Sequence, residues 1–152
     1  MSEKKELEVS AIENGTVIDH IPAGVTFKVV QVLDLYDYQG AITIGNNLDS
    51  KTLGKKGIIK VSDKFFADEV INRLAVIAPN VTLNIIRDYK IVEKKYVHFP
   101  KQIVGVVKCS NPKCITNHEP VPTKMEVFDP ETQSLRCVYC ERVMQHADIT
   151  LL

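Results

Sequence analysis

Four cysteines are the residues of this chain best placed to do chemistry, and all of them fall between positions 109 and 140. They come as Cys109-Ser110-Asn111-Pro112-Lys113-Cys114 and Cys137-Val138-Tyr139-Cys140, with 22 residues between the pairs. Two short loops that each offer two thiolates can close a tetrahedron around a metal ion, with sulfur about 2.3 Å away. All-sulfur tetrahedral coordination selects zinc or iron. Disulfides would need an oxidising compartment, and the start Met1-Ser2-Glu3-Lys4-Lys5-Glu6 lacks the apolar core of a secretory signal. A redox CXXC opens a helix in a βαβ context, whereas Cys137 follows the strand-like Ser134-Leu135-Arg136. His118 and His146 could replace a thiolate, but four sulfurs already complete the shell, and both histidines read as surface groups or groups behind the ligands.

With four protein ligands no position stays open for water, so the expected metal is structural, one per chain. The region between the pairs holds neither the His-X-Glu of a zinc deaminase nor an HEXXH. No GXXXXGK[ST] or GXGXXG loop, Ser-His-Asp arrangement or paired carboxylate site stands out, so the chain reads as a binder and not an enzyme. Charge is balanced at 19 basic against 19 acidic residues. Cut at Pro100, it stays balanced at 13 against 13 and then 6 against 6. Nucleic-acid binders show a basic excess, because neutralising phosphates drives their affinity. No apolar run approaches the roughly 18 residues of a membrane span, and a soluble, cytoplasmic protein is expected.

The length suits two small domains, which we divide as 1–100 and 101–152. A unit of about 50 residues buries little surface, and a structural metal offsets the missing core. Before Pro100, alternation at Leu7, Val9 and Ala11 predicts a strand, Asn14-Gly15 a turn, and Thr16–Ile21 a second extended stretch ending at Pro22. A helix is expected over Ala23–Tyr36 with Phe27, Val29, Val30 and Leu33 on its apolar face. Ala41–Gly45 reads as a strand, Asn46–Lys56 as a polar loop and Gly57–Val61 as a strand. A second helix carries Val70, Ile71, Leu74, Val76 and Ile77, with Asp63 or Asp68 as its cap. Val81–Ile86 and Tyr89–Val92 form a hairpin across Arg87-Asp88, and Glu93–Lys95 with His98–Lys101 reads as a hinge. The pattern is α+β and ferredoxin-like, two helices on one face of a mainly antiparallel sheet. After the hinge, Ile103–Val107, Lys124–Phe128, Ser134–Arg136 and Asp148–Leu151 predict a small all-β, zinc-ribbon-like unit around the metal.

A second polar group lies in the first hundred residues. Asp19 and His20 end an apolar strand, where turn residues or a helix cap are the ordinary reading. In the expected sheet they also come near Lys60, Asn84 and Lys94. Lysines serve phosphate as point charges, and an amide can read a base.

The run Gly15-Thr16-Val17-Ile18-Asp19-His20-Ile21-Pro22, the segment Ile42-Thr43-Ile44-Gly45-Asn46-Asn47-Leu48 and the cysteine spacing together resemble the regulatory chain of aspartate carbamoyltransferase. The likeness extends through Val81–Lys94 and Cys114-Ile115-Thr116-Asn117-His118-Glu119-Pro120-Val121. It implies a non-catalytic subunit in pyrimidine biosynthesis, with an N-terminal allosteric domain for CTP and UTP as inhibitors and ATP as activator. It also implies a C-terminal zinc domain that docks on the catalytic chain, and homodimers that link catalytic trimers. Carried over by position, the effector site would use Ala11, Ile12, Asp19, His20, Lys60, Asn84, Ile86, Tyr89, Ile91 and Lys94, with Lys56 near the phosphates. The zinc ligands would be Cys109, Cys114, Cys137 and Cys140. Where the family often has two asparagines facing the catalytic chain, this sequence has Asn111 and then Lys113, which exchanges an amide contact for a salt bridge. The rival reading is a zinc-ribbon nucleic-acid-binding or protein-adaptor module.

Overall fold

The computed structural model describes residues 11–152, so the strand expected at Leu7 and Val9 lies outside the described residues; Ala11 is exposed loop. The chain divides after His98 into two compact units. The first contains β1 (Gly15–Pro22), a 3-10 turn at Ala23–Val25, α1 (Thr26–Val32), β2 (Ile42–Ser50), β3 (Gly54–Ser62), α2 (Asp68–Ile77), β4 (Thr82–Arg87) and β5 (Lys90–Tyr96). Its sheet runs β2-β3-β1-β4-β5, every neighbouring pair antiparallel. That order, with the two helices as crossovers, is the ferredoxin-like pattern plus one edge strand.

Strand alternation sends Ile18, Ile59 and Leu83 to one face, where they sit opposite one another across β3, β1 and β4 and are almost wholly buried. Val29, Val30 and Leu33 from the α1 segment and Leu74 and Ala75 from α2 join them in one apolar cluster. Ile18 and Ile21 are both fully buried in that cluster although three residues apart, an odd spacing that regular pleating would send to opposite faces. A β-bulge resolves this: β1 advances three residues between Ile18 and Ile21 while β3 advances two, and His20 takes a left-handed conformation with φ 59°.

Several expected boundaries move. α1 stops at Val32 because Leu33 closes it and Asp34, with φ 54°, turns the chain away, so the helix is half the length expected. Phe27, assigned to the apolar face, is instead 60% exposed. Neither Asp63 nor Asp68 caps α2: Ala67 is the cap residue and makes no side-chain bond, while Asp68 and Glu69 occupy the first turn and favour its positive end. Most of the expected polar loop 46–56 is strand, closed by a turn at 51–53. The β4–β5 hairpin turns at Asp88-Tyr89, both with positive φ as a two-residue type I′ turn requires, so Tyr89 leaves the strand and Glu93–Lys95 enters it.

The second unit holds β6 (Gln102–Val104), β7 (Val107–Lys108), β8 (Lys124–Asp129), β9 (Ser134–Cys137), β10 (Val143–Met144) and β11 (Thr150–Leu151). A four-stranded sheet runs β10-β9-β8-β6, and β11 pairs with β7. The single stretch expected over Ile103–Val107 is therefore two strands in two sheets, broken at Gly105, whose φ of 70° suits a glycine.

Gly57 of β3 faces Thr26, and a Cβ at that position would drive into the Thr26 side chain. Gly57→Ala should therefore push α1 off the sheet and cost about 1–3 kcal/mol, the range for overpacking a tight site. Urea unfolding of the variant against the parent chain measures the loss.

Candidate functional site

The cysteine cluster is built from two turns. In the first, the Cys114 amide donates to Asn111 O at 3.0 Å, and the Lys113 amide donates to Asn111 Oδ1 at 3.0 Å. Asn111 thus turns its carbonyl side chain into its own loop, while Lys113 is exposed. In the second, the Glu141 amide donates to Cys137 O at 2.8 Å, and β9 delivers Cys137 fully buried. The four sulfurs lie within 4.8 Å of one another, with Cys109 and Cys140 at 3.5 Å and Cys114 and Cys137 at 3.8 Å. A tetrahedron of sulfurs about 2.3 Å from a central ion has edges of about 3.8 Å. The cage fits a metal ion, and the sulfurs are too far apart to be bonded to one another.

Burial pushes the Cys109 thiol up to about 12, whereas at Cys140 burial is outweighed by hydrogen bonds, the Arg142 amide foremost, and the thiol comes down to about 7. Burial also raises Cys137; at Cys114 it is overcome by hydrogen bonds from Thr116, which leave that thiol below its ordinary value. Four thiolates at this spacing repel one another, and a bound cation is what allows all of them to ionise. When bound, such an ion supplies cohesion and no open position for reaction.

Sequence reading missed the residues that brace the cage. The Asn117 side-chain Nδ2 donates to Cys109 O at 3.1 Å and to Asn111 O at 2.7 Å, and the Thr116 hydroxyl donates to Cys114 Sγ at 3.2 Å. His118 lies 2.7 Å from Pro112 O, on the loop and not on the sulfurs. Only their nearness to Cys114 in sequence hinted at these roles.

The second polar group lies on the sheet face away from the helices. Val17 of β1 sits opposite both Lys60 of β3 and Asn84 of β4, and Asn84 sits opposite Lys94 of β5. Residues directly opposite share a face, so Lys60, Asn84 and Lys94 form one row across four strands. Asn84 is only 8% exposed, and its Oδ1 has no hydrogen-bond partner among the described residues. Lys56 Nζ reaches Asp19 Oδ1 at 2.9 Å; the bulge places Asp19 for this, and its Oδ1 also accepts the His20 amide at 2.6 Å. Burial lowers the Lys60 pKa, with the Asp19 charge working against that shift. His20 Nδ1 lies 3.1 Å from Thr82 Oγ1.

Ile86 and Ile91 are cross-strand partners on the same face as Asn84, Ile86 buried and Ile91 58% exposed. Tyr89 is 67% exposed in the turn, and its amide donates to Glu13 O at 2.9 Å, which brings the segment carrying Ala11 and Ile12 alongside. Ala11 is exposed and Ile12 half-buried.

A polar sheet face in one unit and a closed sulfur cage in the other are the parts of a binding protein. Residues 7–98 match the family model described as aspartate carbamoyltransferase regulatory chain, allosteric domain, and residues 101–150 match that of its metal binding domain. The aspartate carbamoyltransferase regulatory chain of Bacteroides thetaiotaomicron is 58% identical over the whole of both chains. That of Phocaeicola vulgatus is also 58% identical, over 100% of this chain and 99% of its own. The archaeal chain of Pyrococcus abyssi is 51% identical over 95% of this chain and 96% of its own. The protein belongs to the family of aspartate carbamoyltransferase regulatory chains; it is a non-catalytic subunit with an allosteric domain and a metal-binding domain. Among the described residues no helix is long and apolar enough to cross a membrane.

The apolar core of the second unit is small, chiefly Ile103, Val107, Met125, Leu135, Met144 and Ile149 around the buried cysteines. Stripping the metal with a chelator should therefore unfold residues 99–152 and leave the first unit folded. Limited proteolysis with mass mapping should show cleavage confined to the C-terminal segment.

Proposed function

We propose that the chain senses nucleoside triphosphates on the helix-free face of its first unit and passes the signal to a catalytic chain held by its second. The observation that carries this reading is the buried Asn84 Oδ1, an acceptor without a donor among the described residues, set in a row with Lys60 and Lys94. A buried unpaired acceptor is costly. The exocyclic amine of cytosine or adenine supplies the missing donor, and the ammonium groups offer point charges to a triphosphate. Asp19 and His20 line the bulged end of β1, and Ile86 and Ile91 give the base an apolar wall next to Ala11, Ile12 and Tyr89.

On this reading residues 1–100 form the sensing domain, which pairs with a second copy, and residues 101–152 the docking domain. CTP, with UTP, inhibits and ATP activates, because each favours a different arrangement of the assembly; couplings of this kind amount to about 1–3 kcal/mol. The metal is one structural zinc per chain on Cys109, Cys114, Cys137 and Cys140, in the cytoplasm, where thiols stay reduced. Links between catalytic trimers follow from a paired regulatory chain that carries a docking domain on each partner.

Lys60→Ala and Lys94→Ala should each weaken CTP and ATP binding severalfold by titration calorimetry while zinc content stays at one per chain. Unchanged affinities in both variants would refute the assigned face. Metal-free chain mixed with catalytic trimers should run separately from them on gel filtration, and co-elution would count against the docking role of the zinc unit.

A further inference from the structure

The first cysteine loop is held from behind by two consecutive side chains that are not themselves ligands. Thr116 donates its hydroxyl hydrogen to Cys114 Sγ at 3.2 Å, and Asn117 donates both its amide hydrogens, to Cys109 O at 3.1 Å and Asn111 O at 2.7 Å. Both side chains are half-buried, and a short 3-10 turn at Ile115–Asn117 presents them back toward the loop they follow. The Asn117 backbone N–H donates to Cys114 O at 2.9 Å, which ties that turn to the ligand itself.

The chemistry of the donor set gives these contacts a use. A divalent ion on four thiolates leaves the cage with two net negative charges, in surroundings where Cys109, Cys114 and Cys137 are each about 98% buried or more. Buried negative charge persists only when hydrogen-bond donors face it. The Thr116 hydroxyl donates to the sulfur of Cys114, and the Asn111 side-chain amide acts in the same sense on Cys140. Partners behind a metal's ligands typically change its affinity 10–100-fold.

We propose that Thr116 and Asn117 set how tightly the cage holds its metal, Thr116 by drawing electron density from the Cys114 thiolate and Asn117 by fixing the spacing of Cys109 and Cys114. Both are positioning residues. The proposal rests on the reading of the four cysteines as a metal site. Thr116→Val keeps the shape of the side chain and removes the donor, and Thr116→Ser keeps the donor.

The test uses the full-length chain loaded with cobalt as a spectroscopic stand-in, titrated with a competing chelator. Thr116→Val should lose metal at a 10–100-fold lower chelator concentration than the parent, and its thiolate-to-cobalt charge-transfer band should move to lower energy, because the sulfur becomes a better electron donor. Thr116→Ser should restore both readouts to near the parent values. Asn117→Ala should weaken retention to a similar degree with a smaller shift of the band, since it touches no sulfur. A parent chain that takes up no cobalt with four-thiolate absorption would remove the metal reading itself. A normal parent spectrum with Thr116→Val unchanged in band and retention would overturn this proposal alone. Circular dichroism of each loaded variant separates loss of the hydrogen bond from loss of the fold, and a Thr116→Val chain that fails to fold where Thr116→Ser folds supports the donor's role.

Discussion

Mutual repulsion among four thiolates is the constraint on which the C-terminal unit depends. The sulfurs are held at 3.5 to 3.8 Å in the closest pairs, and burial drives the Cys109 thiol up to about 12. Without a cation that geometry is electrostatically expensive for ionised sulfur. With one, the repulsion becomes a bond network that draws β9 and the two turns together. The strands of this unit are two to six residues long, too short to be held by their ladders alone. The order of causes runs from metal to turns to strands, the reverse of the N-terminal unit.

There the sheet comes first, and its two faces have opposite duties. The row Ile18, Ile59, Leu83 faces the helices, and the row one residue earlier in β1, with Lys60, Val17, Asn84 and Lys94, faces away. One residue of pleat thus separates the core from the polar face. The bulge at Asp19 and His20 lets β1 serve both sides, since it returns Ile21 to the core while leaving Asp19 free to meet Lys56.

Local pattern carried much of this. The cysteine spacing is a short-range feature of sequence, so the cage was legible before any fold was known. The α+β class and the ferredoxin-like pattern followed from alternation and helical periodicity in ten-residue windows. What failed was governed by distant partners or by single dihedral angles. Asn46 to Ser50 looks like loop in composition, yet it is strand because β3 offers a long antiparallel edge to pair with. Phe27 fits an apolar helical stripe, yet Val29, Val30 and Leu33 are the residues of that stripe that enter the core, while Phe27 in the first turn stays exposed. Tyr89 looked like a strand residue by propensity, while the hairpin required two residues at positive φ and took it as one of them. The polar face was legible as a set of residue types; the bond between Asp19 and Lys56 was not, because it joins residues of two strands whose register no composition announces.

That bond shapes what the face can hold. Asp19 and Lys56 have side chains only 19% and 21% exposed, so the pair is shielded from solvent more than a surface ion pair. An anion approaching Lys56 meets a cation already partnered, and its gain is the difference between its own attraction and that of Asp19. Lys60 feels the same carboxylate, which works against the lowering of its pKa by burial. Asn84 differs in that its buried Oδ1 has no competitor to displace, so a donor reaching it recovers a hydrogen bond at little cost. On the proposed reading, affinity on this face would be moderated at the charged end and favoured at the amide end. On the same reading, triphosphates that share their charged group would be told apart by the part that reaches Asn84.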